Sequence, residues 1–207
     1  MTSDVSAHPI LFTVLWLVFS ALWGARSVVA RKQRRYAKGK ALVDTNRRYK
    51  VVSHLVYGCQ TVVVIPLFWS SSPLWLKVHE SDLLRGVGFA MIYGGLFLSI
   101  YALVHLKENY SPCYDSHLPH RLVTSGPYRF VRHPGWTSKV LVGLGSLFMT
   151  GSVWFVPLLA WLIIEMRRTI QIEERALLSA LSGYREYKAE TSALIPRISF
   201  TRGSVRG

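Results

Sequence analysis

The segment from His120 to Trp136 brings together side chains and turns that could bind a charged ligand. It reads HRLVTSGPYRFVRHPGW and lies between apolar segments. Gly126 and Pro127 predict a turn. Pro134 suits the first position of a helix, because the N–H that proline lacks would be unpaired there anyway. The unpaired N–H groups at the start of such a helix would attract an anion such as a carboxylate.

Charged and aromatic side chains in this segment widen the range of groups that it could bind. Arg129 and Arg132 supply charge-assisted donors for an anion, and each could equally anchor the chain to lipid phosphates. Tyr128 and Trp136 offer flat faces for a heteroaromatic ring or a cation. A ligand that combines a carboxylate, a cation and a heteroaromatic ring fits this set.

A second group of candidate residues lies further along the chain, from residue 167 to about 190. Apolar residues recur there at helical spacing, which predicts an amphipathic helix. We expect Glu173 to bind a cationic or hydroxyl group of a ligand and Glu174 to face water. We expect Tyr184 and Tyr187 to serve packing or the membrane interface.

Composition and charge favour a membrane protein. Half of the 207 residues are apolar and the formal net charge is +14. The basic residues stand at the ends of apolar segments, which indicates orientation in a membrane, and no nucleic-acid-binding motif is present. No GxGxxG motif follows a strand pattern, so the fold of soluble methyltransferases and dehydrogenases is not indicated. Cys59 and Cys113 are not expected to form a disulfide.

The apolar segments predict an all-α integral membrane helix bundle with about five transmembrane helices. Three spans are predicted over residues 10–30, 51–69 and 83–105, the first as an uncleaved helix rather than a signal peptide. A tight helical hairpin hinged at Gly151 follows, over residues 136–150 and 152–166. Four glycines in the third span predict close helix packing: Gly86, Gly88, Gly94 and Gly95.

The predicted topology is a single membrane domain over residues 1–207, with the N-terminus outside and the C-terminus in the cytosol. Basic residues place the loop of residues 31–50 in the cytosol, and the loop of residues 70–82 is expected outside. Along the chain, this domain divides into five predicted segments. They are three spans within 8–105, a cofactor loop at 106–135, the hairpin at 136–166, a C-terminal cytosolic helix and cap at 167–198, and a basic tail at 199–207. The C-terminal amphipathic helix would close a cofactor pocket on the cytosolic side.

Two motifs resemble a known family. The pattern H-x-LVT-x-GPYRFVRHP, followed by E-E-x-x-L-x-x-x-x-x-G-Y-x-x-Y, is similar to the isoprenylcysteine carboxyl methyltransferases and their phospholipid methyltransferase-like relatives, over roughly residues 95–197. The resemblance implies a small helical membrane enzyme that uses S-adenosylmethionine and releases S-adenosylhomocysteine. The cofactor-binding positions that it implies are His120, Arg121, Leu122, Val123, Tyr128, His133, Pro134, Gly135, Trp136 and Glu173. Cys113 falls where the family can place a further cofactor contact.

The chain departs from the family pattern at three places. The family usually has tyrosine and glycine where this chain has Trp136 and Ser138. It often has an arginine that holds the substrate four residues before the first glutamate, where this chain has Thr169. Arg168 could take that role only if the helix were rotated or bulged. Arg168 and Arg132 are therefore the candidate catalytic residues, which would orient an anionic acceptor.

The resemblance implies methyl transfer to a lipophilic acceptor, first of all the carboxylate of a C-terminal prenylated cysteine. Displacement at a sulfonium by an anionic acceptor requires alignment and exclusion of water rather than a strong base. The expected partners are the lipid bilayer and the acceptor, with no nucleic acid and no metal, although Cys113, His117, His120 and His133 raise a zinc interpretation. Three alternatives stay open: a methyltransferase for a phospholipid amine or small thiol, an NADPH-dependent sterol-type reductase, and a non-catalytic membrane scaffold or lipid binder.

Overall fold

The computed structural model describes residues 9–34, 43–44, 81–110, 115–116, 121–153 and 155–196. The regular secondary structure of these residues is helical apart from a two-residue ladder, so the predicted all-α class is confirmed for them. The helices are α1 (Pro9–Arg34), α2 (Asp82–Leu106), α3 (Pro134–Thr150), α4 (Phe155–Ala180) and α5 (Tyr184–Glu190), with 3₁₀ turns at Lys107–Asn109 and Gly126–Arg129. The predicted second span, the external loop up to residue 80 and the C-terminal tail lie outside the described residues.

Among the described residues, α2 is the one helix that is long and apolar enough to cross a membrane. Its 25 residues extend about 37 Å, which exceeds the roughly 30 Å of a hydrocarbon core. Ser81 caps its first turn by accepting a hydrogen bond from the Leu84 N–H, and the helix ends before Lys107, which has a φ of 48°. The third predicted span is therefore confirmed as a helix. The five-span bundle and its orientation remain predictions.

Glycines set how closely α2 and α3 pack. A Cβ atom added at Gly88 would lie 2.6 Å from the carbonyl oxygen of Gly145, and a Cβ at Gly145 would lie 2.7 Å from that of Gly88. A Cβ at Gly95 would lie 2.9 Å from the backbone of α3. The predicted close approach is confirmed at Gly88 and Gly95, whereas Gly86 and Gly94 face open space.

Polar contacts and an apolar cluster join α1 to α2. Three interhelical hydrogen bonds run from Tyr93 Oη to Leu15 O, from Arg26 Nε to Ser99 Oγ and from Gln33 Nε2 to Leu103 O. Phe19 and Leu22 pack against a core cluster that α2 and α3 share. Hydrogen bonds between apolar helices fix their register, because an unpaired polar group is costly in an apolar environment.

The predicted hairpin forms, and its second helix is longer than expected. Gly151 ends α3 in the left-handed conformation, with a φ of 63° and its N–H donating to Leu147 O. Helix α4 then runs unbroken from Phe155 to Ala180, through the predicted membrane boundary at residues 166–167, because no glycine or proline interrupts it there. Gly183, with a φ of 81°, makes the break before α5.

A two-residue antiparallel ladder joins the two loops that were predicted to be cytosolic. Val43 pairs with Ser116 and Asp44 with Asp115. The first strand follows α1 and the second follows α2, so the two loops lie together at one end of the helices. The side of the membrane on which they lie stays a prediction.

Candidate functional site

Residues 191–194, the C-terminal strap, run alongside the start of α3. The backbone N–H groups of Arg132 and His133 donate to two carbonyl groups of the strap, at 2.8 and 3.0 Å. The hydroxyl of Thr137 donates to a third, at 2.8 Å. The strap therefore satisfies backbone and side-chain donors around the first turn of α3, and this fixes where α3 begins.

Glu174 is a buried carboxylate at which three nitrogen-bearing side chains converge. Arg132 contacts its Oε1 through both Nε, at 2.8 Å, and Nη2, at 2.7 Å. His133 Nε2 lies 3.1 Å from the same oxygen, and Lys188 Nζ lies 2.7 Å from Oε2. The Glu174 side chain is only 9% exposed, so the expectation that it faces water was wrong.

Helical spacing could have identified Glu174 as buried. It lies four residues after Ile170 and three before Leu177, on the apolar stripe of the amphipathic pattern. Ile170 packs against the cluster around Trp136. Nothing in the local sequence, however, identified Lys188 or the strap as its neighbours, because these contacts join distant parts of the chain.

The pKa of Glu174 is held well below its usual range. Burial alone would raise it, but hydrogen bonds from His133, Lys188 and Arg132 outweigh burial. Because the folded-state pKa is depressed, Glu174 contributes stability above its ordinary pKa of 4.5, and this stability is lost as the pH falls toward the folded-state pKa.

We expect acid to destabilise the wild type more than a Glu174→Gln variant. The melting temperature of the wild type should fall between neutral pH and a pH of about 3, while the variant, which cannot gain a proton there, should show a shallower slope from a lower starting value. Thermal unfolding in detergent across this pH range measures both slopes. Parallel slopes would show that Glu174 does not carry the acid sensitivity.

Arg132 is engaged on both edges of its guanidinium group. Besides Glu174, it donates through Nη1 to Lys188 O, at 3.1 Å, and to Thr191 O. Its side chain is 10% exposed. This geometry gives Arg132 the task of connecting α4, α5 and the strap. The predicted role of Arg132 in orienting an acceptor stays untested, and it would require these contacts to open.

Glu173 lies on the other side of His133. Its Oε2 is 3.6 Å from His133 Nδ1, so the imidazole stands between two carboxylates. Burial raises the pKa of Glu173, and the neighbouring His133 and Lys139 lower it by a smaller amount. The Glu173 side chain keeps 21% exposure. A partly exposed carboxylate with an elevated pKa beside a histidine is a candidate binding group.

The two tyrosines of the second motif are buried, as expected for packing. Tyr187 Oη donates to Tyr128 O at 2.6 Å, and Tyr184 and Tyr187 make an edge-to-face contact. Burial raises the pKa of Tyr187 to about 12, with Arg132 acting in the opposite direction. These tyrosines attach α5 to the turn of the first motif.

The first turn of α3 offers less to a ligand than the sequence suggested. Pro134 is fully buried, and Trp136 is 3% exposed, with Lys139 Nζ 3.7 Å from the centre of its ring. Trp136 also packs against Leu162 and Met166, so its ring belongs to the core and does not present an open face. Gly135 is exposed, and a Cβ there would meet nothing within 4 Å. A ligand can therefore approach the backbone at Gly135.

The start of the first motif is only partly described. Arg121 is exposed, and its N–H donates to Asn109 Oδ1 at 3.3 Å, while Leu122 and Val123 are half-buried. Tyr128 is also half-buried. His120 lies outside the described residues, as do Cys113 and His117, so the zinc interpretation cannot be placed on the structure.

Arg168 does not occupy the position of the family arginine. Thr169 is buried at 4% exposure, whereas Arg168 is exposed on a neighbouring face of α4. The helix is regular through this turn, without the bulge that Arg168 would need to replace Thr169. The structure brings His133, Glu173 and Glu174 together and leaves Arg168 on the outside. Its predicted catalytic role stays untested.

Comparison with known families agrees with the motifs. The family model for phospholipid methyltransferases matches residues 84–182, which include most of α2, the first motif, α3 and α4. Over these residues the chain is similar to the phospholipid methyltransferase family. The predicted resemblance to membrane methyltransferases is therefore confirmed at the level of the family.

A curated relative also matches part of the chain. The cobalt-zinc-cadmium resistance protein CzcN of Cupriavidus metallidurans is 39% identical over 84 residues, which are 40% of this chain and 38% of that protein. The match thus spans well under half of either protein. The match to the phospholipid methyltransferase family includes the site around His133 and Glu173.

Proposed function

We propose that this protein transfers a methyl group from S-adenosylmethionine to a lipophilic acceptor at the surface of a membrane. The observation that carries the proposal is the family match over residues 84–182, inside which the structure places His133 between Glu173 and Glu174. Methyltransferase activity is what this family implies. The exposed edge of this cluster, at Glu173 and Gly135, is where we propose that the cofactor binds.

The described residues fit S-adenosylmethionine in part. The cofactor would supply a methyl group on a sulfonium, together with an ammonium, a carboxylate and an adenosine. Glu173 can accept hydrogen bonds from an ammonium or a ribose hydroxyl, and the exposed N–H of Gly135 at the start of α3 can donate to a carboxylate. Trp136 does not fit the stacking role that the sequence suggested, because its ring is buried.

The arrangement of charges favours an acceptor that is not a carboxylate. Thr169, at the position where the family often has an arginine, is buried and neutral, and Glu165 lies one turn earlier and is 1% exposed. A prenylated cysteine carboxylate would meet no cation at Thr169 itself, because Arg167 and Arg168 lie on the exposed side of α4. A phospholipid amine, which needs no cation at this position, fits these residues better.

Calorimetry with purified protein in nanodiscs tests the cofactor and its site. We expect the wild type to bind S-adenosylhomocysteine and Glu173→Gln to bind it at least tenfold more weakly, the loss expected for one charge-assisted hydrogen bond. The matched control is Glu186→Gln, which changes an exposed carboxylate on α5. Labelled S-adenosylmethionine, supplied with phosphatidylethanolamine or with a prenylated cysteine, would then identify the acceptor.

Two outcomes would count against the proposal. A folded wild type that binds NADPH and not S-adenosylhomocysteine would replace the methyltransferase with the reductase alternative. Equal binding by the wild type and Glu173→Gln would show that the cofactor does not bind at Glu173.

A further inference from the structure

Arg26 is a charged side chain in the apolar part of α1, residues 10–30. It is the only charged residue between residues 10 and 30 of α1. Its Nε donates to Ser99 Oγ at 2.7 Å, and Ser99 is buried on α2. The guanidinium carbon lies 5.4 Å from the ring centre of Trp23. These contacts hold the guanidinium group against α2, instead of letting it extend toward the end of α1 as a membrane-anchoring arginine would.

The charge of Arg26 has no carboxylate partner among the described residues. Helices α1 and α3 contain no aspartate or glutamate, and neither do residues 45–79, which include the predicted second span. Asp82 is the acidic residue of α2, about 25 Å along the helix from Ser99, and it pairs with Arg85. The hydrogen bond to Ser99 and the contact with Trp23 supply no net negative charge, so no anion among the described residues neutralises Arg26.

Along the axes of the helices, Arg26 lies level with the candidate site. Gly88 of α2 meets Gly145 of α3, and Gly95 meets Ser138, so the two helices run antiparallel. One turn beyond Gly95, Ser99 is therefore level with the first turn of α3, where the candidate site begins. An amphiphile bound at the site would bring its headgroup to this depth.

We propose that Arg26, positioned by Ser99, binds the anionic headgroup of a lipid, through a phosphate or a carboxylate. The planar fork of a guanidinium matches both groups, and the Nη atoms remain for this purpose once Nε is bound to Ser99. The headgroup belongs either to a membrane phospholipid or to the methyl acceptor itself. The inference rests on the proposed membrane location and goes beyond the cofactor site, which involves none of these residues.

Native mass spectrometry of protein released from mixed micelles tests this site. The lipids are phosphatidylglycerol and phosphatidylcholine, which differ in headgroup charge. We expect the wild type to retain phosphatidylglycerol preferentially and Arg26→Met to lose that preference roughly tenfold. The matched control is Arg31→Met, which removes an exposed arginine from the same helix and should behave as the wild type.

A second variant keeps the test decisive if Arg26→Met fails to fold. Ser99→Ala retains the charge but removes the hydrogen bond that positions it, so it should reduce the preference for phosphatidylglycerol by a smaller factor. The proposal is overturned if the wild type retains both lipids equally, or if the folded variants keep the wild-type preference.

Kinetics with labelled S-adenosylmethionine and a phospholipid acceptor then assign the headgroup. A KM for the acceptor that rises about tenfold in Arg26→Met, with little change in kcat, identifies the acceptor as the ligand. If Arg26→Met leaves the KM unchanged but loses the preference for phosphatidylglycerol, then the ligand of Arg26 is a membrane phospholipid. Calorimetry with S-adenosylhomocysteine separates the two proposals, because a wild type that selects phosphatidylglycerol but binds no cofactor contradicts only the proposed function.

Discussion

Replacing Glu174 with alanine should destabilise the protein by about 3–5 kcal/mol, the usual cost of removing one partner from a buried ion pair. The change leaves Arg132 buried with its charge uncompensated, and it removes a hydrogen-bond partner of His133. Lys188 is 38% exposed and can return to water, so it contributes little to the loss. The free energy of unfolding in detergent, measured by chemical denaturation, would show the effect.

Two comparisons make this prediction specific to the buried cluster. Glu186→Ala on the exposed face of α5 should change the free energy of unfolding by less than about 0.5 kcal/mol. A double variant, Glu174→Leu with Arg132→Met, should be less destabilised than Glu174→Ala alone, since no unpaired charge remains. If Glu174→Ala unfolds with the stability of the wild type, then the cluster does not hold the C-terminal strap.

The second large effect is expected at the contact between α2 and α3. Gly88→Leu should destabilise the protein by about 3 kcal/mol, at the upper end of overpacking effects, because even a Cβ would meet the backbone of α3 at 2.6 Å. Backbone atoms cannot change rotamer to make room, so the helices must separate along their length. The unfolding transition and the fraction of monodisperse protein in size-exclusion chromatography both report this separation.

Gly94→Leu is the matched control for Gly88→Leu. Gly94 lies on the same helix with open space around its Cβ position, so the substitution should leave the stability nearly unchanged or raise it slightly. Equal effects at Gly88 and Gly94 would show that helix propensity, rather than the close contact, decides the outcome.

The elements that the sequence predicted well are those with local signals. Helix α2 has a continuous apolar run, the start of α3 has Pro134, and the hinge has Gly151. Each signal acts through residues that are neighbours in the chain, so the pattern is sufficient. The membrane boundary at residues 166–167 was predicted from two arginines, but charge alone does not interrupt a helix, and α4 continues to Ala180.

The contacts that define the site are mostly distant in sequence. Arg132 and His133 reach Glu174 across 42 and 41 residues, and the strap lies further still. The resemblance to a family named both His133 and Glu173, and the structure places them 3.6 Å apart, while their role in binding stays a prediction. The motif gave no indication that the ring of Trp136 would be buried, because burial depends on how Leu162 and Met166 of α4 pack against it.

The C-terminal strap also determines when the site can be completed during biosynthesis. Thr191 follows Arg132 by 59 residues, so α3 lacks these partners until α4 and α5 have both been translated completely. A chain that stops before Ser192 keeps the backbone N–H groups of Arg132 and His133 unpaired at the start of α3. An affinity tag is therefore better placed beyond the strap than within it, because an insertion there would separate these donors from their acceptors.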